Sequence, residues 1–346
     1  MKVQQLFLRN VRSIKSLDLD FRDPVTGKPM SRIVLAGANG SGKTTILDCI
    51  IGLIGSLTLS DFQPPYLQSD SGVYLTLEPP REVTQDVWAI ALNMGRSIEE
   101  NYRLKGAYLE WQNLKDGDWY EVDIGFAIRE LLRGTEERER QFTQKASLLF
   151  LPDNRRLLPT ESSGPITPEE ENLWISRHTP TDQWKGSVES YLVWQNYLDL
   201  EDRDKGIKAD RFQRITSVVN QILDQKHISG VERGRVVVEV SGQTKHGLDD
   251  LSSGERQIVL LLVEITRRIK PGSVILIDEP EISLHPAWQR GLVVALDKII
   301  EQYDAQVIMA THSPEIAGMV QPHEVLFLSD LGVPPGEWKP EREVLA

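Results

Sequence analysis

A single cysteine in 346 residues, Cys49, excludes an intramolecular disulfide and any zinc site built from several thiolates. Such sparing use suits a reducing compartment, and Cys49 itself reads as a small buried apolar residue on a helix. No apolar run approaches the ~18 residues that a bilayer-spanning helix needs. The opening Met1-Lys-Val-Gln-Gln-Leu6 lacks the apolar stretch of a secretion signal. The expected location is therefore cytoplasmic, with no membrane partner. Basic residues are outnumbered, 39 Lys and Arg against 51 Asp and Glu, for a net charge of −12. That balance works against broad attraction to a nucleic-acid backbone. Local basic groups remain at Arg155-Arg156, Arg211 with Arg214, Arg233 with Arg235, and Arg267-Arg268. Each can be a solvated face or a phosphate track, and none is interleaved with the aromatics that stack single-stranded bases. Sustained heptads are missing too, which excludes long coiled-coil arms.

What is present is a packed globule's composition, 40% apolar with eight Trp. The apolar run Ile33-Val-Leu-Ala36 leads into Gly37-Ala-Asn39-Gly40-Ser41-Gly42-Lys43-Thr44, and a helix opens with Thr45-Ile-Leu. Strand, glycine-rich loop and helix in that order form a phosphate-binding loop. Its glycines let backbone N–H groups curl around a triphosphate, Lys43 reaches the β and γ phosphates, and the Thr44 hydroxyl is placed to ligate Mg²⁺ at a helix N-terminus. The pattern predicts a nucleoside triphosphate, ATP or GTP.

About 200 residues later stands Leu251-Ser-Ser-Gly-Glu255, followed by a helical run. Pro271-Gly-Ser-Val-Ile-Leu-Ile-Asp278-Glu279-Pro280 and Met309-Ala-Thr-His312-Ser-Pro come next. Val274 to Ile277 has the continuous apolar character of a parallel strand buried on both faces. Asp278 leaves its end as a metal-holding carboxylate. Glu279, one residue on in an extended chain, points the other way and is placed to orient and deprotonate water.

These four elements resemble the ABC-type ATPases. The resemblance makes Leu251 to Glu255 the signature, with Ser252, Ser253, Gly254 and Glu255 binding nucleotide held by a second copy, so that two ATP are sandwiched in a head-to-tail pair. A helix N-terminus there suits an anion. It also makes His312 the switch residue that contacts the γ-phosphate, and it selects adenine over guanine. Glu279-Pro-Glu-Ile-Ser-Leu-His285-Pro resembles the turn of the RecF, SMC and OLD group. The opening Leu6 to Phe21 resembles that group's first hairpin, in which the residue matching Arg12 approaches the nucleotide, a surface arginine being the alternative. Pro152-Asp-Asn154-Arg155-Arg156 occupies the Q-loop position without a glutamine, leaving Asn154 to offer an amide to metal or water and Arg155 to contact phosphate or the second subunit.

The expected fold is α/β, a P-loop NTPase of ABC-ATPase type with a mixed central sheet, an antiparallel β lobe and an inserted helical lobe. Residues 1–160 are expected to carry the phosphate loop and β lobe, 161–245 a loop and helices, 246–331 the signature, acidic strand end and His312, and 332–346 a flexible tail. In the β lobe, Val73–Leu77, Val87–Ala91, Ala107–Trp111 and Trp119–Val122 read as strands, with a hairpin turn at Lys115-Asp-Gly-Asp118, and Ser147–Leu151 returns from the lobe towards the site. The polar stretch Glu161–Gly186 reads as a mobile loop, and helices are expected over Ser187–Asp202 and Ala209–Gln225. On the first, Tyr191, Trp194, Tyr197 and Leu198 share a face that packs in the core or docks a partner.

An OLD-type nuclease carries a Toprim domain after its ATPase, and the expectation here is a chain without one, its effector activity residing in a separate polypeptide. The expected function is an ATP-hydrolysing switch, a homodimer or higher even oligomer with Mg²⁺, controlling a separately encoded nuclease or toxin in anti-phage defence. A RecF-like DNA-repair ATPase is the alternative. A transporter's nucleotide-binding subunit is disfavoured by the missing Q-loop glutamine and by the turn after Glu279.

Overall fold

A computed structural model describes residues 1–56, 67–78, 88–93, 146–155, 175–177, 188–223, 225–240 and 244–328. The expected strands at 107–111 and 119–122, the turn between them, Arg156 and the tail 332–346 lie outside these residues. The chain forms two compact units, residues 1–142 with 306–346, and residues 143–305.

In the first unit, β1 (Lys2–Val11) and β2 (Ile14–Asp20) form the antiparallel opening hairpin, closing at the pair Val11 and Ile14. Arg12, in the two-residue reversal, takes φ of 50°, and so does Asn10, at the irregularity of β1 between Arg9 and Val11. Val3, Leu6, Leu8 and Val11 are buried, and register shifts between Val3 and Gln5 and between Arg9 and Val11 account for their uneven spacing. Next come β3 (Arg32–Ala36) and α1 (Lys43–Ser56), joined by the glycine-rich loop. Cys49 on α1 is buried, as expected. Strands β4 (Leu67–Glu78) and β5 (Trp88–Asn93) extend the hairpin into an antiparallel sheet of order β2–β1–β4–β5, the anticipated β lobe.

The second unit opens with β6 (Leu148–Leu151) and β7 (Ile175–Arg177), which pair in parallel. The stretch 161–186 thus contains a strand where the polar composition predicts only loop. Two helices follow, α2 (Val188–Asp204) and α3 (Arg211–Asn220), the second shorter than expected. It ends where β8 (Lys226–Glu232), β9 (Arg235–Val240) and β10 (Thr244–His246) build an antiparallel sheet, so the inserted region is not helical alone. Arg233 and Gly234 turn the β8–β9 hairpin with positive φ at both positions, the reversal that matches strand twist. After α4 (Ser253–Arg268), strand β11 (Val274–Asp278) is buried at every residue and pairs in parallel with β6, so that Ile277 lies beside Leu151. Helix α5 (Pro286–Tyr303) completes the unit.

Returning to the first unit, β12 (Gln306–Thr311) pairs in parallel with β3, α6 (Pro314–Ala317) follows, and β13 (Val325–Phe327) lies on the other side of β3. Strand directions therefore mix between sheets, the β3-centred strands being parallel and the β1-centred ones antiparallel. The buried Gln306 carboxamide accepts from Val3 N–H at 2.6 Å and donates to the carbonyls of Val3 and Met30. No helix among the described residues is long and apolar enough to cross a membrane.

Several basic groups have acidic neighbours instead of forming a phosphate track. Arg211 pairs with Asp199 and Asp202, Arg214 with Asp210, Arg235 with Glu189 and Asp249, and buried Arg268 with Glu264. The aromatic stripe of α2 is not its core face either. Val188, Leu192 and Val193 are buried there, while Tyr197 is 48% exposed and stacks on Trp194 at 5.3 Å. Tyr191 instead lies under the Arg267 guanidinium.

Candidate functional site

The first unit builds a phosphate cradle from backbone. Gly40 and Gly42 take φ of 82° and 90°, which side-chain-bearing residues rarely adopt. A Cβ at Gly37 would stand 2.7 Å from the Ser41 Oγ and 2.9 Å from the Leu328 carbonyl, so the loop must start on glycine. Ser41 Oγ is buried without a hydrogen-bond partner among the described residues, as suits a hydroxyl that serves an anion. Lys43 is buried and donates from Nζ to the carbonyls of Gly37 at 2.8 Å and Ala38 at 3.0 Å, folding its charge over the loop. Asn39 and Thr44 are exposed, Thr44 on the first turn of α1. This constellation fits a polyphosphate: glycine N–H groups, one orphan hydroxyl, one ammonium and a helix N-terminus.

Arg12 reaches the same helix. Its Nη1 donates to Thr45 Oγ1 at 3.1 Å and lies 3.4 Å from the Asp48 carboxylate. The opening hairpin is thereby held to the first turns of α1, an engagement beyond that of a plain surface arginine. His312 also falls near the loop. Strand pairing sets Thr311 beside Ala36, so His312, exposed, is one residue beyond the strand end from which the phosphate loop departs. Ser313 caps α6 by accepting from Ile316 N–H, fixing the chain just after His312.

In the second unit, Asp278 is the buried last residue of β11. Glu279 does not continue the strand: its φ is 46°, so its direction comes from a left-handed turn and not from β alternation. Arg155 is the residue that sequence reasoning misassigned. It is 2% exposed, and far from facing phosphate or a second subunit its guanidinium donates to the carbonyls of Pro152 at 2.6 Å, Asp278 at 2.5 Å and Glu279 at 2.9 Å. Burial pushes its pKa down to about 10, against the opposing pull of Asp278 and the neighbouring carboxylates, so it stays protonated at neutral pH. Asn154 is exposed on the turn that leaves β6, whose end lies alongside that of β11. A local signal for the clamp existed, an arginine in a proline turn directly after an apolar strand, but the Arg155-Arg156 doublet reads more readily as surface charge.

The signature segment caps α4. Ser252 accepts from Glu255 N–H at 3.3 Å, and the Glu255 carboxylate accepts from Ser252 N–H at 2.7 Å and from Lys226 Nζ at 2.9 Å. Burial alone would raise the Glu255 pKa, but these hydrogen bonds hold it below the ordinary range. The Ser252 and Glu255 amides thus serve the cap, and the exposed Ser253 begins the helix. Gly254 has a packing reason of its own. A Cβ there would meet the Ser283 carbonyl at 2.5 Å and the Trp288 ring at 2.8 Å, so the signature helix sits directly on the turn that follows Glu279.

Each unit by itself offers an oxygen donor of the kind Mg²⁺ takes, Thr44 on the first turn of α1 and Asp278 at the end of β11. Among the described residues no group of three or more His, Cys, Asp or Glu could hold a metal. One or two protein oxygens together with substrate phosphates is the usual Mg²⁺ arrangement.

Residues 32–318 match the protein family described as "AAA domain, putative AbiEii toxin, Type IV TA system". The chain is similar to the "Retron Vc95 probable ATPase" of Vibrio cholerae serotype O1 biovar El Tor, 29% identical over 181 residues that make up 48% of this chain and 34% of that one. It is also similar to the "Septu protein PtuA" of Bacillus thuringiensis, 24% identical over 351 aligned positions covering 96% of this chain and 76% of the relative. The matched stretch therefore spans about a third of the retron ATPase's length. Among solved structures, an SMC head bound to the C-terminal winged-helix domain of ScpA aligns over 92% of both chains, with a TM-score of 0.47 and 15% identity.

Proposed function

The chain belongs to the AAA domain family that residues 32–318 match, and on that premise we propose that it is an ATP-hydrolysing molecular switch working in anti-phage defence. The observation that carries the chemistry is the phosphate loop, where Lys43 and the orphan Ser41 hydroxyl converge on glycine backbone. Lys43 binds the β and γ phosphates, and Thr44 and Asp278 are the residues that would supply oxygens to Mg²⁺. The ion, when bound, neutralises phosphate charge as the γ-phosphoryl departs. Glu279 takes the proton of the attacking water. Arg12 approaches the nucleotide from the hairpin, Asn154 offers its amide near the strand end, and His312 senses the γ-phosphate.

Two copies close head to tail around two ATP, with Ser252, Ser253 and Gly254 of each capping the nucleotide of the other. Hydrolysis reopens the pair. The difference in ATP affinity between open and closed states is the energy that acts on a partner. That partner is a separately encoded nuclease or other toxic protein. The likeness to a retron ATPase and to a Septu protein supports this setting.

The test is turnover and mass with ATP for the wild type, Glu279→Gln and Ser253→Arg. Glu279→Gln should lose about 100-fold or more in turnover, the usual worth of a general base, and accumulate an ATP-bound species of doubled mass. Ser253→Arg should abolish that species by crowding the γ-phosphate. Undiminished turnover in Glu279→Gln overturns the assignment of the base, and an unaltered ATP-dependent mass in Ser253→Arg overturns the sandwich. DNA-stimulated hydrolysis without a toxic partner would move the chain to repair.

A further inference from the structure

We propose that Arg155 is a positioning residue that sets the backbone of Glu279, and that Gln257 makes this grip depend on the signature helix; the inference rests on Glu279 being the base. One guanidinium gathers carbonyls from two places. On its own turn it bonds those of Leu151 and Pro152, and across 123 residues of sequence that of Asp278. Its second arm takes the carbonyl of Glu279 itself. Glu279 has φ of 46°, a conformation that a residue with a Cβ avoids unless its surroundings impose it. Its peptide oxygen and that of the residue before it are both held by Arg155, so the grip falls on the two peptides that flank the unusual angle. A planar fork of five donors suits this task and an ammonium does not, because a single point charge cannot address both carbonyls in one plane.

The cation is buried at a cost that an apolar residue in the same space would not incur. Its hydrogen-bond acceptors are backbone oxygens at the strand end, so what that cost secures is a backbone shape. The link onward is Gln257, on α4 four residues past Ser253, whose Nε2 donates to the Arg155 carbonyl at 3.1 Å. A shift of α4, as when its N-terminus meets the anion of a second copy, pulls on the Arg155 turn and through it on the peptide of Glu279. The signature helix and the base are thus connected by two side chains within one unit.

The experiment compares the full-length wild type, Arg155→Lys, Gln257→Leu and the double variant, measuring kcat, KM, fluorescent-ATP affinity and melting temperature. Arg155→Lys should lower kcat by about 10- to 100-fold, the effect of misplacing a reacting group by about an ångström, with ATP affinity within about twofold of wild type. Gln257→Leu, which keeps size and removes the amide, should lower kcat by about 3- to 10-fold, the scale of coupling between contacting residues. The double variant should fall no further than Arg155→Lys. A parallel fall of ATP affinity and melting temperature with kcat would overturn positioning in favour of a structural role, and multiplicative losses in the double variant would overturn the link through Gln257. If Arg155→Lys does not fold, an unchanged kcat in Gln257→Leu overturns the link alone. Wild-type turnover in Glu279→Gln removes the base itself, a failure separable from an inactive Glu279→Gln beside a fully active Arg155→Lys.

Discussion

The phosphate loop and the acidic strand end, which the proposed function assigns to one reaction, are constructed in opposite ways. The loop is made of backbone, with glycines at φ of 82° and 90° and Lys43 tied to carbonyls five and six residues away. The strand end is made by side chains, with Glu279 in a left-handed turn beneath a guanidinium 124 residues distant in sequence. A phosphate must be surrounded by many weak donors, which contiguous peptide supplies. A base must stand at one angle, which neighbouring chain cannot impose by itself.

Lys43→Ala bears hardest on this contrast. It should weaken ATP binding by about 100-fold, the worth of a charged hydrogen bond or two, while shifting the melting temperature by no more than about 3 °C. A collapse of stability, read by calorimetry, would mean that the loop depends on its side chain after all. A pair of glycine substitutions comes next. Gly42→Ala is strained by its φ, at a cost of about 1–3 kcal/mol, and should spoil nucleotide affinity first, since the Ile14 methyl 2.9 Å away can yield. Gly254→Ala meets a backbone carbonyl and an indole that cannot, so about 1–3 kcal/mol should appear as lower stability, with the ATP affinity of the single, unpaired copy nearly intact because Gly254 acts only on the partner copy's nucleotide. Equal effects on affinity would erase the distinction.

The smallest effect is the pH response of the signature cap. The folded pKa of Glu255 lies below its ordinary 4.5, so its contribution is present above that value and lost as pH falls through the folded one. Melting curves at stepped pH should show an acid loss of less than about 1 kcal/mol that Glu255→Gln removes. A loss centred near neutrality would point to another group.

Local patterns were legible and long-range ones were not. Ile33 to Thr45 announces strand, loop and helix because all the physics sits within a few peptide bonds. Val274 to Asp278 is readable for the same reason, its apolar run being what burial on both faces requires. The Ser252 and Glu255 pair has the spacing of a capping box, a signal that attention to the anion site obscured. Arg155 could not be placed, because nothing near it in sequence mentions residues 278 and 279. The stripe of α2 shows the limit of periodicity: spacing puts Tyr191, Trp194 and Tyr197 on one side, but the core took Leu192 and Val193. The hairpin at 226–240 escaped notice because its reversal uses Arg233-Gly234 in place of the commoner Asn-Gly.

The two bonds from Lys43 to Gly37 and Ala38 make the loop its own occupant. An arriving nucleotide enters as a competitor, trading peptide oxygens for phosphate oxygens on the same ammonium. Such an exchange favours ligands by the amount of anionic charge they bring. A triphosphate outbids the carbonyls, while a monophosphate or an inorganic ion of similar size gains little over what is already there. The loop thereby carries a built-in threshold against the many small anions around it.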